Sequence, residues 1–139
     1  MWRIWRIKRV NRKKLDMQIL ELFGRIFLST IFLLSGISKI FNYEGLVEYM
    51  EVFGVSEYFA IPAIILEIIF PLLLIIGYYT KISALVMALF TVAVAVIFHT
   101  DFANQIQFIS FFKNIAIAGG FLIIFVRGAG KYSIDHKNR

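Results

Sequence analysis

A chain of 139 residues that is 60% hydrophobic and only 17% charged, with a mean hydropathy of +0.78, is too apolar for a soluble single domain. Its net charge of +6 is carried mostly in the flanks, by Arg3, Arg6, Lys8, Arg9, Arg12, Lys13 and Lys14 before the first apolar stretch and Arg127, Lys131, Lys137 and Arg139 after the last. Basic tails beside a membrane face anionic lipid head groups, which accounts for the charge without nucleic acid, and the absence of cysteine excludes disulfides, thiolate nucleophiles, Cys-ligated zinc and iron–sulfur clusters.

Residues 1–21 form a basic arm that reads as an interfacial or disordered lead-in carrying Trp2 and Trp5. It does not resemble a cleavable signal peptide, because the basic region is long, the next apolar segment has full spanning length and no small-x-small site follows. Met17 is an alternative start that would remove the seven basic residues. The first span is expected over residues 22–41. On it Arg25, Ser29, Phe32, Gly36 and Lys39 recur at steps of four and three, one helix face, widened by Ser35 and Ser38. Small and polar residues on one stripe are what helix contact in a membrane uses, while Ile26, Phe27, Ile31, Leu34 and Phe41 suit lipid. Arg25, near the basic end, is expected to snorkel to phosphate.

Residues 42–57 contain no Lys or Arg but carry Glu44, Glu48, Glu51 and Glu57. Within them, Leu46, Val47, Met50 and Phe53 fall on one helical face, predicting a short amphipathic helix and a candidate lid. The second span, residues 58–79, holds Glu67 near its centre and Pro71 four residues later. A carboxylate at mid-membrane costs about 2.5–3.5 kcal/mol, and Pro71 cannot donate a backbone bond to the Glu67 carbonyl, so polarity is concentrated there. After Lys81 comes a third span, residues 82–100, with Ala84 and Ala88 for close packing and His99 at its end. The acidic connection 101–107 leads to a fourth span, residues 108–126. This span carries Lys113 and Asn114, then Ala116, Ala118, Gly119 and Gly120 as a flat packing surface.

Each stretch is near the ~20 residues that cross a bilayer. The predicted architecture is therefore an all-α membrane protein, an up-and-down bundle of four transmembrane helices. Its parts are the arm 1–21, the bundle 22–127 and a tail 128–139. The distribution of Lys and Arg places both termini in the cytoplasm and the two acidic segments outside. His99 and His136 then lie on opposite sides of the membrane and cannot jointly ligate a haem or a metal, so no metal site is expected.

At ~1.5 Å of rise per residue, Lys39, Glu67, His99, Lys113 and Asn114 all fall in the outer half of the bilayer. Charges at that depth are expected to turn inward and meet. Glu67 with Lys113 is the first-choice ion pair, because their depths differ least, and Lys39 is the alternative.

The ordered set Arg25-Ile26-Phe27-Leu28, Ser35-Gly36-Ile37-Ser38-Lys39, Val52-Phe53-Gly54-Val55, Glu67, Leu72 through Gly77 with Thr80-Lys81, His99, Phe111-Phe112-Lys113-Asn114 with Gly119-Gly120, and Gly128-Ala129-Gly130-Lys131-Tyr132-Ser133-Ile134-Asp135 resembles the DoxX family of four-helix membrane proteins, over about residues 22–135. The resemblance implies a multi-pass protein of the bacterial or archaeal cytoplasmic membrane, commonly labelled an oxidoreductase. Some relatives are subunits of thiosulfate:quinone oxidoreductase or associate with soluble redox enzymes. A related group, similar to the methylamine-utilisation protein MauE, supports maturation of another enzyme. The expectation is a membrane subunit of an oxidoreductase system with no covalently bound cofactor and a quinone or small-anion pocket. In it Lys39, Lys113 and Asn114 would bind the ligand, Glu67 would exchange protons and His99 would link the pocket to the outside. Arg25, Gly36, Pro71, Gly119 and Gly120 would be structural. The alternative is a non-enzymatic scaffold, assembly factor or small-molecule carrier. Partners would be the bilayer, a soluble or membrane redox protein, and further copies of the chain.

Overall fold

The computed structural model describes residues 1–138, apart from the side chains of Trp2, Arg3, Trp5 and Arg9. The expected interfacial seating of Trp2 and Trp5 and the charge of Arg139 lie outside the described residues. The chain forms α1 (Trp2–Phe41), α2 (Tyr43–Val52), a single 3-10 turn (Glu57–Phe59), α3 (Ala60–Ile76), α4 (Thr80–Phe98), α5 (Gln105–Arg127) and a last turn of helix, α6 (Ile134–Lys137). Four of these helices are long and apolar enough to cross a membrane, and the described residues contain no strand.

The arm is helical rather than disordered, and it continues into the first span without a break. Its residues are mostly good helix formers, and no Pro or Gly interrupts them before Gly24. The 40 residues of α1 extend about 60 Å at the α-helical rise, twice the ~30 Å of a hydrocarbon core. The helix ends elsewhere have chemical causes. Ser56 accepts a bond from the Tyr58 amide at 3.4 Å, and Asn104 caps α5 by accepting from the Ile106 amide at 2.9 Å. Gly77, at φ +71°, closes α3 in the left-handed conformation that suits glycine.

The helices pair unevenly. α1 packs chiefly on α3 and α5 chiefly on α4, and α3 against α4 joins the pairs. Phe32, Leu74, Ala84, Met87, Ala88 and Phe121 form the core where all four meet. There the Phe32 and Phe121 rings sit 5.5 Å apart. The predicted seam of α1 is the buried one: Arg25, Ser29, Phe32 and Gly36 are buried and Lys39 half-buried, while Phe27, Ile31, Leu34 and Phe41 are exposed. A Cβ at Gly36 would stand 2.9 Å from Ile68 Cγ1 and 3.2 Å from Glu67 Cβ, so glycine lets α3 approach there. The flat surface of α5 is narrower than expected. Ala118 is buried and Gly120 faces Leu28, whereas Ala116 is exposed and a Cβ at Gly119 would meet nothing within 4 Å.

Arg25 does not snorkel. It is 2% exposed, and its guanidinium donates to the carbonyl of Leu74 at 3.0 Å and to that of Tyr132. The tail folds back over this end of the bundle. The Asp135 carboxylate accepts from the amides of Tyr79 and Thr80 at 2.9 and 2.8 Å, and the Asp135 amide donates to the Gly77 carbonyl at 2.8 Å. Carbonyls left free at the end of α3 and amides at the start of α4 thus find partners inside the chain, which gives a buried arginine a better position than the head groups. Both termini belong to this end. The polar residues expected to cluster lie toward the other.

Candidate functional site

Glu67 is buried on α3, where it faces the seam of α1. Lys39 Nζ stands 2.6 Å from its Oε1 and 2.7 Å from its Oε2, and the Ser35 hydroxyl donates at 3.4–3.5 Å. Lys39, Ser35 and Gly36 share the α1 face that meets α3, so the pair forms across the contact that Gly36 keeps close. The expected Glu67–Lys113 pair is overturned. Lys113 is exposed on α5 and has no ion-pair partner among the described residues. Asn114 donates to the carbonyl of Ser110 at 2.9 Å within its own helix. Depth along the membrane normal matched Lys113 to Glu67, but α5 packs on α4 and has little contact with α1, so the two side chains point into different surroundings.

Above the ion pair, at the end away from the termini, is a cavity of about 540 Å³. α1 contributes Lys39, α2 contributes Leu46 and Met50, α3 contributes Leu66, α4 contributes Phe90, and His99 comes from the position just after α4. The amphipathic segment is a helix, shorter than its loop, that lines the cavity with Leu46 and Met50 but not with Val47 or Phe53, while Glu44, Glu48 and Glu51 are exposed. Tyr49 on the same helix stacks on Phe98 at 5.4 Å with 23° between the rings, and burial raises its phenol above the ordinary value. Glu67 is not part of the cavity wall; it lies behind Lys39 and balances its charge. Lys113 and Asn114 are not part of the wall either.

His99 follows the last turn of α4, where its amide donates to the Ala95 carbonyl at 3.0 Å. Its Nδ1 lies 2.7 Å from Oε1 of Gln107 across the short α4–α5 connection. Sequence reasoning passed over Gln107, although a glutamine eight residues beyond the histidine, past a tight loop, is a natural partner for it. Among the described residues no group of three or more His, Asp or Glu side chains is placed to hold a metal ion.

The chemistry available is therefore narrow. The wall is almost wholly apolar, and Lys39, Tyr49 and His99 are the lining residues that carry a polar side-chain group. Such a site suits an apolar molecule with a small polar head.

Comparison with known proteins agrees with the fold. The DoxX family model matches residues 20–100. The inner membrane protein YqjF of Escherichia coli K12 is 38% identical over 123 residues, covering 88% of this chain and 94% of that protein. The inner membrane protein YphA of the same organism is 32% identical over 126 residues, covering 86% of this chain and 90% of that protein. No solved structure matches the chain. A family match across more than half of the residues, with relatives aligned almost end to end, shows that this chain belongs to the DoxX family of membrane proteins.

Proposed function

We propose that the protein is a membrane subunit of an oxidoreductase system in the cytoplasmic membrane, with both termini in the cytoplasm, and that its cavity binds a quinone-type head group. The basic flanks and acidic connections support that orientation, and the two inner membrane relatives support the location. The observation that carries the ligand reading is the ammonium of Lys39 held at the edge of an apolar cavity with its charge balanced from behind by Glu67. A charge-balanced cation favours a neutral ligand with a carbonyl or hydroxyl oxygen over a free anion, since burying an anion would leave net negative charge in an apolar site. When bound, a quinone would supply the two-electron chemistry that a chain without cysteine does not carry. Lys39 would hold the head-group oxygen, His99 would face the ligand from the α4 side, and Glu67 would act only through Lys39.

The test is a titration of purified protein with a decyl-substituted benzoquinone, followed by tyrosine fluorescence. Saturable quenching is expected for the wild type and for Lys113→Leu, and none for Ala93→Phe, which narrows the cavity without touching the ion pair. Absence of saturable quenching in the wild type, or equal quenching by Ala93→Phe, refutes the reading.

A second reading, a non-enzymatic scaffold, assembly factor or carrier, draws on the completeness of the ion pair. Both carboxylate oxygens of Glu67 are taken by Lys39, as in a purely structural contact. It predicts an unchanged cellular phenotype for Ala93→Phe and a lost one for any variant that unfolds the bundle.

A further inference from the structure

We propose that the cavity selects a hydroxyl-bearing ligand, the hydroquinone or phenol class, over a ligand that can only accept hydrogen bonds, and that Gln107 sets this selectivity through His99. The inference rests on the cavity reading above and concerns which form of the ligand the cavity prefers.

The donors and acceptors facing the cavity can be counted. Lys39 has three N–H groups and no acceptor. Its nitrogen contacts both Glu67 oxygens, at 2.6 and 2.7 Å, which leaves one N–H for an occupant. The phenol of Tyr49 donates or accepts equally well, so it does not discriminate. His99 decides the matter. The atom 2.7 Å from its Nδ1 is the amide oxygen of Gln107, which only accepts. The proton of a neutral imidazole is therefore on Nδ1, and Nε2 carries the lone pair. His99 is part of the cavity wall and Gln107 is not, and with Nδ1 engaged by Gln107 the nitrogen left for a ligand is Nε2.

The cavity thus offers one fixed donor, at Lys39, and one fixed acceptor, at His99. A benzoquinone brings two acceptor oxygens. One can accept from Lys39, but a second directed at the Nε2 lone pair would be unpaired. A hydroquinone or substituted phenol satisfies both ends: one oxygen accepts from Lys39, and one O–H donates to Nε2. Leaving a buried polar group unpaired costs about 1–3 kcal/mol, which corresponds to roughly tenfold or more in affinity.

Two measurements on the full-length protein in detergent, under argon, test this. The first titrates decyl-benzoquinone and its hydroquinone separately against wild type, Gln107→Glu and Gln107→Leu. The hydroquinone is expected to bind about tenfold more tightly to wild type. The preference should fall to within about twofold in Gln107→Leu, which leaves Nδ1 without a fixed acceptor, and be lost in Gln107→Glu, whose carboxylate favours an imidazolium with no Nε2 lone pair. The second is 15N NMR of ring-labelled histidine at neutral pH in His136→Gln, which leaves His99 as the one labelled ring and reads its tautomer directly. A dominant Nδ1–H signal is expected. Equal binding of both forms by wild type, or a dominant Nε2–H tautomer, overturns the selectivity while leaving the cavity reading intact. Failure of both forms to bind refutes the cavity reading and the selectivity together.

Discussion

Removing the Lys39 ammonium is the perturbation whose cost the structure fixes best. Lys39→Met keeps the length and apolar stem of the side chain but leaves the Glu67 carboxylate, 4% exposed, without its counter-charge. The Ser35 hydroxyl, at 3.4–3.5 Å, is too distant to replace two contacts of 2.6–2.7 Å. Breaking a buried pair by deleting one partner costs about 3–5 kcal/mol. Lys39 is 27% exposed, so part of the pair's electrostatics is already screened, and the expected loss lies near the lower bound, about 3 kcal/mol. Removing both charges in Lys39→Met/Glu67→Leu leaves no orphan and should return stability to within about 1 kcal/mol of wild type. Equilibrium unfolding in mixed micelles, with helicity followed by circular dichroism, measures the series. The reasoning fails if Lys39→Met is within about 0.5 kcal/mol of wild type, or if the double variant is no more stable than the single.

Exchanging the charges of Glu67 and Lys113 should not rescue folding, whereas exchanging those of Glu67 and Lys39 should recover part of it; folded yield after detergent extraction distinguishes the two. Gly36→Ala places a methyl 2.9 Å from Ile68 Cγ1 and should cost about 1–3 kcal/mol. Gly119→Ala meets nothing within 4 Å and should be neutral or stabilising by up to ~1 kcal/mol; the same unfolding assay compares them. Asp135→Ala frees the amides of Tyr79 and Thr80, with an expected loss of about 1 kcal/mol, and amide hydrogen exchange should rise selectively in residues 128–138.

The bundle was legible in the sequence because hydropathy and length report directly on what crosses a bilayer. The seam of α1 was legible as well, since Arg25, Ser29, Phe32, Gly36 and Lys39 share one face whatever they pack against. Partnership between helices was not. Depth follows from counting residues, but which helix a side chain faces depends on the order of packing, and α5 sits beside α4 rather than against Glu67. The error over Arg25 has the same origin. Its partners, the carbonyls of Leu74 and Tyr132, are backbone groups that no residue type advertises. Gln107 was missed because its contact with His99 depends on how the α4–α5 connection turns.

The bond from Arg25 to the Tyr132 carbonyl joins residues 107 positions apart. While the chain emerges, the first span carries a guanidinium whose second acceptor has not yet been made. Assembly of this end of the bundle is therefore withheld until Tyr132 has been made. A chain truncated before residue 132 presents quality-control proteases with a membrane helix bearing an incompletely satisfied cation. A fusion placed after Asn138 leaves that closing step intact, and one inserted between Arg127 and Tyr132 lengthens the strap that must deliver it.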